Sequence, residues 1–240
     1  MKAPRWIKFF IVFLAVFFCV AGRNFLVSSA VSSARPPLTQ KAAKQSTSYT
    51  VPDWARMIDI GSVNRNIKLD IRYATTNNFL KRKLYKDARC ILRAGVAQKL
   101  AQVQEDLQKR GMGLKVYDCY RPLSVTKQMW EALPDGRYVA NPVRGSRHNR
   151  GAAVDLTLVD SKGKELEMPS GFDDFSERAW RTYAGKDVSE KARKNSRILE
   201  EVMVKYGFIS LPTEWWHFDA KGWEGFSLLD VPFGAVPKVK

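Results

Sequence analysis

Two histidines stand in a chain of 240 residues, and each has a carboxylate at short spacing. His148 lies in "GSRHNRGAAVDLTLVD", seven residues before Asp155, and His217 lies in "EWWHFDA", three residues after Glu214. Two imidazoles and an aspartate are a ligand set that a catalytic zinc site uses, with a fourth position left open for water. A nearby glutamate that does not bind the metal can serve as general base. The residue types therefore offer zinc on His148, Asp155 and His217, with Glu214 as base. Each residue alone has an ordinary reading: a histidine beside an aromatic strand is commonly packed or hydrogen-bonded core, and Asp155 alone fits a turn or a surface. The joint pattern carries the metal reading: H-x6-D, then E-x-x-H about 60 residues on, with no other histidine in the chain.

The elements that must position these groups can be read from periodicity. "AAVDLTLVD" alternates as a strand with Ala153, Asp155 and Thr157 on one face and Val154, Leu156 and Leu158 on the other. The second set is core, so Asp155 faces solvent or a cleft. His148 sits in the loop entering that strand, where Gly151 permits a sharp turn back over the same face. "EWWHFDA" reads as a final aromatic strand. Glu214 and His217 would face opposite ways on a regular strand, so convergence needs a bend near Trp215 or a place for Glu214 in the turn after Pro212. "KLDIRYAT" alternates as a half-buried strand with Leu69, Ile71 and Tyr73 on one face, and "GLKVYDCYRP" is a strand stopped by Pro122. Helices are expected over "AGVAQKLAQVQEDLQKRG", ending at Gly111, over "LSVTKQMWEAL", and over "DVSEKARKNSRILEEVMVKYG", whose stripe is Ile198, Leu199, Val202, Met203 and Tyr206. Strands without regular crossover helices imply an α+β fold: a single domain with a central antiparallel sheet flanked by helices.

The N-terminus reads as an export segment. A basic start precedes an apolar run from Phe9 to Gly22 and then "SSAVSSA", the order of a secretory signal peptide. The run of about 14 residues is short of the ~20 that a spanning helix needs, but Arg23 and Asn24 leave retention as an N-terminal membrane anchor open. Residues 1–34 are accordingly signal peptide or anchor, 35–53 a Pro/Ser/Thr/Gln/Lys-rich flexible linker, and 54–240 the folded domain, in a periplasmic or otherwise extracytoplasmic location. Cys90 and Cys119 are the two cysteines beyond the leader, and in an exported chain they are expected to pair. The closed loop of about 29 residues would contribute about 3–4 kcal/mol in the chain-entropy model. The net charge of +16 is spread along the chain without a nucleic-acid motif, so no nucleic-acid partner is expected. The oligomeric state is not legible.

"SRHNRGAAVDLTL" and "EWWHF" together resemble the zinc D-alanyl-D-alanine dipeptidases of the vancomycin-resistance type, whose signature has the form S-x-H-x-x-G-x-A-x-D and E-x-W-H. "IRYATTNNF", "YDCYRP" at 117–122, "MPSGFDDFSERA" at 168–179 and "GFISLPTEWWHF" at 207–218 resemble blocks of the same family in the same order. Over about 160 residues the resemblance implies one zinc ion on His148, Asp155 and His217, with Glu214 as general base and the site in a cleft on the sheet. It further implies Arg121 against the oxyanion, Asp173 on the ammonium of a small dipeptide substrate, and Ser146 and Tyr73 lining the pocket. Local alternatives stand beside these roles: a surface pair of Arg121 with Asp118, a helix cap made by Asp173 and Asp174, plain packing for Tyr73, and a loop hydroxyl for Ser146. Leu80 and Lys81 depart from the small residue and glycine that often follow "NF" in the family, and the stretch between Arg121 and Ser146 is shorter than in the resistance enzymes. Two other functions share this metal site: a zinc carboxypeptidase trimming peptidoglycan stem peptides, and a non-catalytic wall-binding module.

Overall fold

A computed structural model describes residues 52–238, which fall in one compact unit. The expected leader and most of the expected linker lie outside the described residues. The first described element is a short 3-10 turn at Asp53–Ala55, at the boundary where the domain was expected to begin.

The elements follow in the order β1 (Met57–Asp59), β2 (Lys68–Leu69), β3 (Ile91–Arg93), α1 (Ala94–Gln108), β4 (Met112–Asp118), α2 (Leu123–Ala132), β5 (Ala153–Asp160), α3 (Glu190–Lys205), β6 (Phe208–Leu211) and β7 (Glu214–Ala220), with short 3-10 turns between. β1 and β3 form a small antiparallel pair, and the main sheet has the order β2-β4-β5-β7-β6. The fold is the expected α+β class with one correction: β2 runs parallel to β4, and the remaining pairs in the main sheet are antiparallel.

The helices form where apolar spacing placed them. Val96, Leu100, Val103 and Leu107 of α1 are buried, and the chain turns out of the helix at Gly111 with φ +69°. Ser189 caps α3, its side chain accepting from the Ala192 amide at 3.0 Å. Leu199, Val202 and Met203 are buried beneath it. The central strand β5 is buried on both faces: Val154, Leu156 and Leu158 on one and Ala153, Asp155 and Thr157 on the other, with Asp155 lining the cavity described below.

The expected strand over "KLDIRYAT" is corrected. Pairing stops after Leu69, which is itself exposed, and the chain bends into a 3-10 turn at Arg72–Ala74. The reason lies in the backbone accounting. The Asp70 amide still donates to the Val116 carbonyl, but the Tyr73 carbonyl accepts from the amides of Leu84 and Tyr85. The segment thus leaves the sheet to hold a loop, and Ile71 and Tyr73 are buried by that turn rather than by strand alternation.

Candidate active site

Three adjacent strands bring one row of polar side chains together. Asp118 on β4 stands opposite Asp155 on β5, and Asp155 stands opposite His217 on β7. His148 comes from the 3-10 turn His148–Arg150 just before β5, which Gly151 closes at φ +67°. A Cβ at Gly151 would lie 2.7 Å from the Met57 methyl carbon, so both the backbone and the packing call for glycine there.

Of the two ways for Glu214 and His217 to converge, β7 carries the bend. Ser210 pairs with Phe218 and the next residue, Leu211, with Glu214, so the stretch Trp215–His217 bulges out of register with β6. Bulges re-aim side chains, and here Glu214 Oε2 comes within 3.9 Å of His217 Nδ1.

The ring nitrogens are differentiated by what they touch. His148 Nδ1 donates to the Cys119 carbonyl at 2.7 Å, and its Nε2 faces His217 Nδ1 at 3.2 Å and Asp155 Oδ2 at 3.4 Å. His217 Nδ1 lies 3.0 Å from Asp155 Oδ1, and its Nε2 meets Asp219 Oδ1 at 2.9 Å. One donor atom from each of His148, Asp155 and His217 falls within 4.8 Å of the others, and all three residues are buried. Donors around a tetrahedral zinc ion stand about 3.3 Å apart; the two imidazole nitrogens are 3.2 Å apart, and each has its own Asp155 oxygen nearby, Oδ1 at 3.0 Å from His217 and Oδ2 at 3.4 Å from His148. The electrostatics agree. Burial by itself would lower the His217 pKa, and its hydrogen bonds to Asp155 and Asp219 outweigh that and push it up to about 10. Burial would raise Asp155, but the charge of His148 and hydrogen bonds from both imidazoles hold it below the usual carboxylate range. Without an ion, the buried carboxylates thus draw positive charge to the cluster.

The remaining expected residues surround this cluster on a cavity of about 480 Å³, within the usual range for small-molecule sites. Arg121 does pair with Asp118, at 3.0 Å from Nε and 2.7 Å from Nη2, but the pair is buried rather than superficial. Tyr85 fixes the other oxygen of Asp118 at 2.8 Å. The Arg121 guanidinium also lies 5.0 Å over the Tyr73 ring. Tyr73 is both packing and pocket: it meets Phe79, Tyr85 and Phe172 edge-on, and its hydroxyl donates to Asp173 at 3.1 Å. Asp173 adopts φ +59°, a left-handed conformation that aspartate tolerates better than most residues. Among the described contacts it is Asp174 that makes a local cap, accepting from the Ser176 amide at 2.8 Å. Burial and the negative charge of Asp155 push Asp173 up to about 7, against the opposing pull of Arg121 and Tyr73. Burial likewise raises Glu214. The Ser146 hydroxyl accepts from the His148 amide at 3.2 Å while facing the cavity, so it is a loop hydroxyl and a lining group at once.

Of the two departures, the stretch between Arg121 and Ser146 lines the cavity, while Leu80 and Lys81 lie beside Phe79 in its wall without lining it. Lys81 takes φ +54°, a conformation glycine adopts without penalty. The short stretch after Arg121 supplies Tyr138, which stacks on Phe175 with ring centroids 4.4 Å apart. Cys90 and Cys119 form the expected disulfide. It joins the start of β3 to the end of β4, at the residue whose carbonyl orients His148.

Three contributors escaped the sequence reading of the site. Asp118 had been weighed only as a surface partner for Arg121. Asp219 was visible in "HFDA", two residues from His217 and hence on the same strand face. Arg181 had no local signal. Its guanidinium donates to the carbonyls of Leu211 (3.0 Å), Trp215 (2.9 Å), Glu214 and His217 (both 3.3 Å), binding the bulge from behind.

The model of the Peptidase_M15 family, described as D-ala-D-ala dipeptidase, matches residues 53–233. The D-alanyl-D-alanine dipeptidase of Escherichia coli is 33% identical over 181 residues, covering 75% of this chain and 93% of that protein. The enzyme of the same name from Enterococcus faecalis is 31% identical over 188 residues, covering 70% and 88%. A solved structure of the vancomycin-resistance D,D-dipeptidase VanXYg with a D-Ala-D-Ala phosphinate analogue aligns at 22% identity and TM-score 0.36, over 56% of this chain and 52% of that one. That structural likeness is too low to carry an argument. The span of the family match and the identity to the curated relatives suffice without it: the chain belongs to the D-alanyl-D-alanine dipeptidase family of M15 metallopeptidases.

Proposed function

We propose that this protein is an exported, zinc-dependent dipeptidase that hydrolyses free D-Ala-D-Ala. The observation that carries the reading is the meeting of two kinds of group in one cavity. A possible metal cluster, His148, Asp155 and His217, shares its space with Glu214 and Arg121, which a purely structural metal site would not require. His148 Nε2, His217 Nδ1 and an Asp155 oxygen would hold the zinc. When bound, zinc supplies Lewis-acid polarisation and makes water a better nucleophile near neutral pH.

The chain's own groups do the rest. Glu214, raised by burial, is suited to take a proton from the attacking water and return it to the departing amine. The Arg121 guanidinium, held charged and oriented by buried Asp118, faces the cavity where the scissile carbonyl oxygen gains negative charge. Asp173, steadied by the Tyr73 hydroxyl, offers an anion for the substrate ammonium. Ser146 lines the same space. A fixed anion for a free amine selects a dipeptide over a longer stem.

Export rests on the leader's sequence order, and the Cys90–Cys119 pair fits an oxidising compartment. The same reading makes 1–34 the signal or anchor and 35–53 a tether. Kinetics on free D-Ala-D-Ala against a stem pentapeptide test the function. The dipeptide should be preferred by at least about 10²-fold in kcat/KM. Equal rates would favour the carboxypeptidase, and zinc binding without turnover of either the wall-binding module.

A further inference from the structure

We infer that Asp219 is a positioning residue that fixes the ring orientation and tautomer of His217, and thereby sets how tightly this chain holds its metal. The inference rests on the metal reading above and adds a residue that the His148–Asp155–His217 set does not contain. An imidazole offers two nitrogens, and the one that carries the proton is decided by the partner of the other. His217 Nε2 lies 2.9 Å from Asp219 Oδ1. With a metal on Nδ1, Nε2 would carry the ring proton and donate it to Asp219, which holds the ring this way round. Nδ1 is the nitrogen that faces Asp155 Oδ1 and His148 Nε2. A half-turn of the ring would exchange Nδ1 with Cδ2 and Nε2 with Cε1, taking one nitrogen from the cluster and the other from Asp219.

Asp219 is itself held. It is buried, it follows His217 by two on β7 and so projects from the same face, and its second oxygen lies 3.5 Å from Arg147 Nε. Arg147 in turn lies 4.6 Å over the Trp223 ring. The two histidines are therefore oriented by different means: His148 by a backbone carbonyl that no side-chain substitution removes, and His217 by a carboxylate that one does. Outer partners of this kind typically change metal affinity 10- to 100-fold.

The test uses the purified full chain, its Asp219→Ala variant and its Asp219→Asn variant, each titrated with zinc against a competing chelator. Because the chain has two histidines, a zinc-loaded sample with 15N-labelled histidine reports two imidazoles, and the N–H of His217 is read directly. The expected result is zinc affinity lowered at least tenfold in Asp219→Ala. Its His217 ring N–H signal should move far from the wild-type position while that of His148 stays. Circular dichroism of the metal-free proteins guards against misfolding, and the near-isosteric Asn variant gives the reading if Ala does not fold. Affinity within twofold of wild type in the folded variants, with an unmoved ring signal, overturns the inference while leaving the metal reading intact. A wild-type chain that binds no zinc overturns both.

Discussion

Replacing Arg181 with methionine separates folding from catalysis in this protein. The guanidinium is buried and binds the bulge of β7 through four carbonyls, two of them at 2.9 and 3.0 Å. Leaving those two acceptors unpaired costs about 1–3 kcal/mol each. Against this, burial lowers the Arg181 pKa from 12.5 to about 10, and carboxylates at Glu200 and Glu214 only partly compensate. At ~1.4 kcal/mol per unit, removing that buried charge recovers about 3 kcal/mol. One guanidinium nitrogen, Nη1, has no hydrogen-bond partner among the described residues, in keeping with a charge that is expensive to bury. The net loss of stability should be roughly 1 kcal/mol and no more than about 3, read by urea unfolding followed through tryptophan fluorescence. Activity should fall much further. The bulge sets Glu214 against His217, and a misplacement of about 1 Å in a reacting group costs about 10²-fold. D-alanine release should therefore show kcat reduced about 10²-fold in a protein that remains folded. In an Glu214→Ala background the same change should do little more, because Arg181 acts through the geometry of that residue. A folded, zinc-loaded Arg181→Met enzyme with kcat within threefold of wild type would refute the reasoning.

Three further outcomes are expected. His148→Ala, Asp155→Ala and His217→Ala should each lose bound zinc, whereas Glu214→Ala should keep it and lose turnover by about 10²-fold or more; metal analysis beside kinetics separates the two classes. Asp173 is pushed up to about 7, so its carboxyl is protonated below that pH and cannot pair with an ammonium. KM for free D-Ala-D-Ala should rise as pH falls through about 7, and Asp173→Asn should flatten that dependence. Lys81→Gly relieves a left-handed residue at φ +54°. The conformational gain of about 1–2 kcal/mol, less the greater unfolded-state freedom of glycine, should appear as about 0.5–1 kcal/mol of added stability to urea.

The sequence by itself determined the parts that depend on local spacing. The two histidines with their carboxylates, the alternation of β5, the stripes of α1 and α3, and the lone pair of cysteines beyond the leader are short-range patterns, and each appears in the structure where its spacing placed it. Strand parity also required either a bend near Trp215 or a turn position for Glu214, since Glu214 and His217 could converge in no regular strand, and the structure has the irregularity in β7. Tertiary structure decided what depends on a partner far along the chain. "KLDIRYAT" has a strand's alternation but not a strand's hydrogen bonds, because the Tyr73 carbonyl is claimed by the loop at Leu84 and Tyr85. In the sequence Arg121 and Asp118 also had a reading as a surface pair, and only the tertiary fold buried them together. Arg181 carried no signal because its acceptors are backbone carbonyls at least 30 residues away, and every residue has a carbonyl. A side chain that binds other side chains leaves a trace in residue type; one that binds the backbone leaves none until the chain has folded around it.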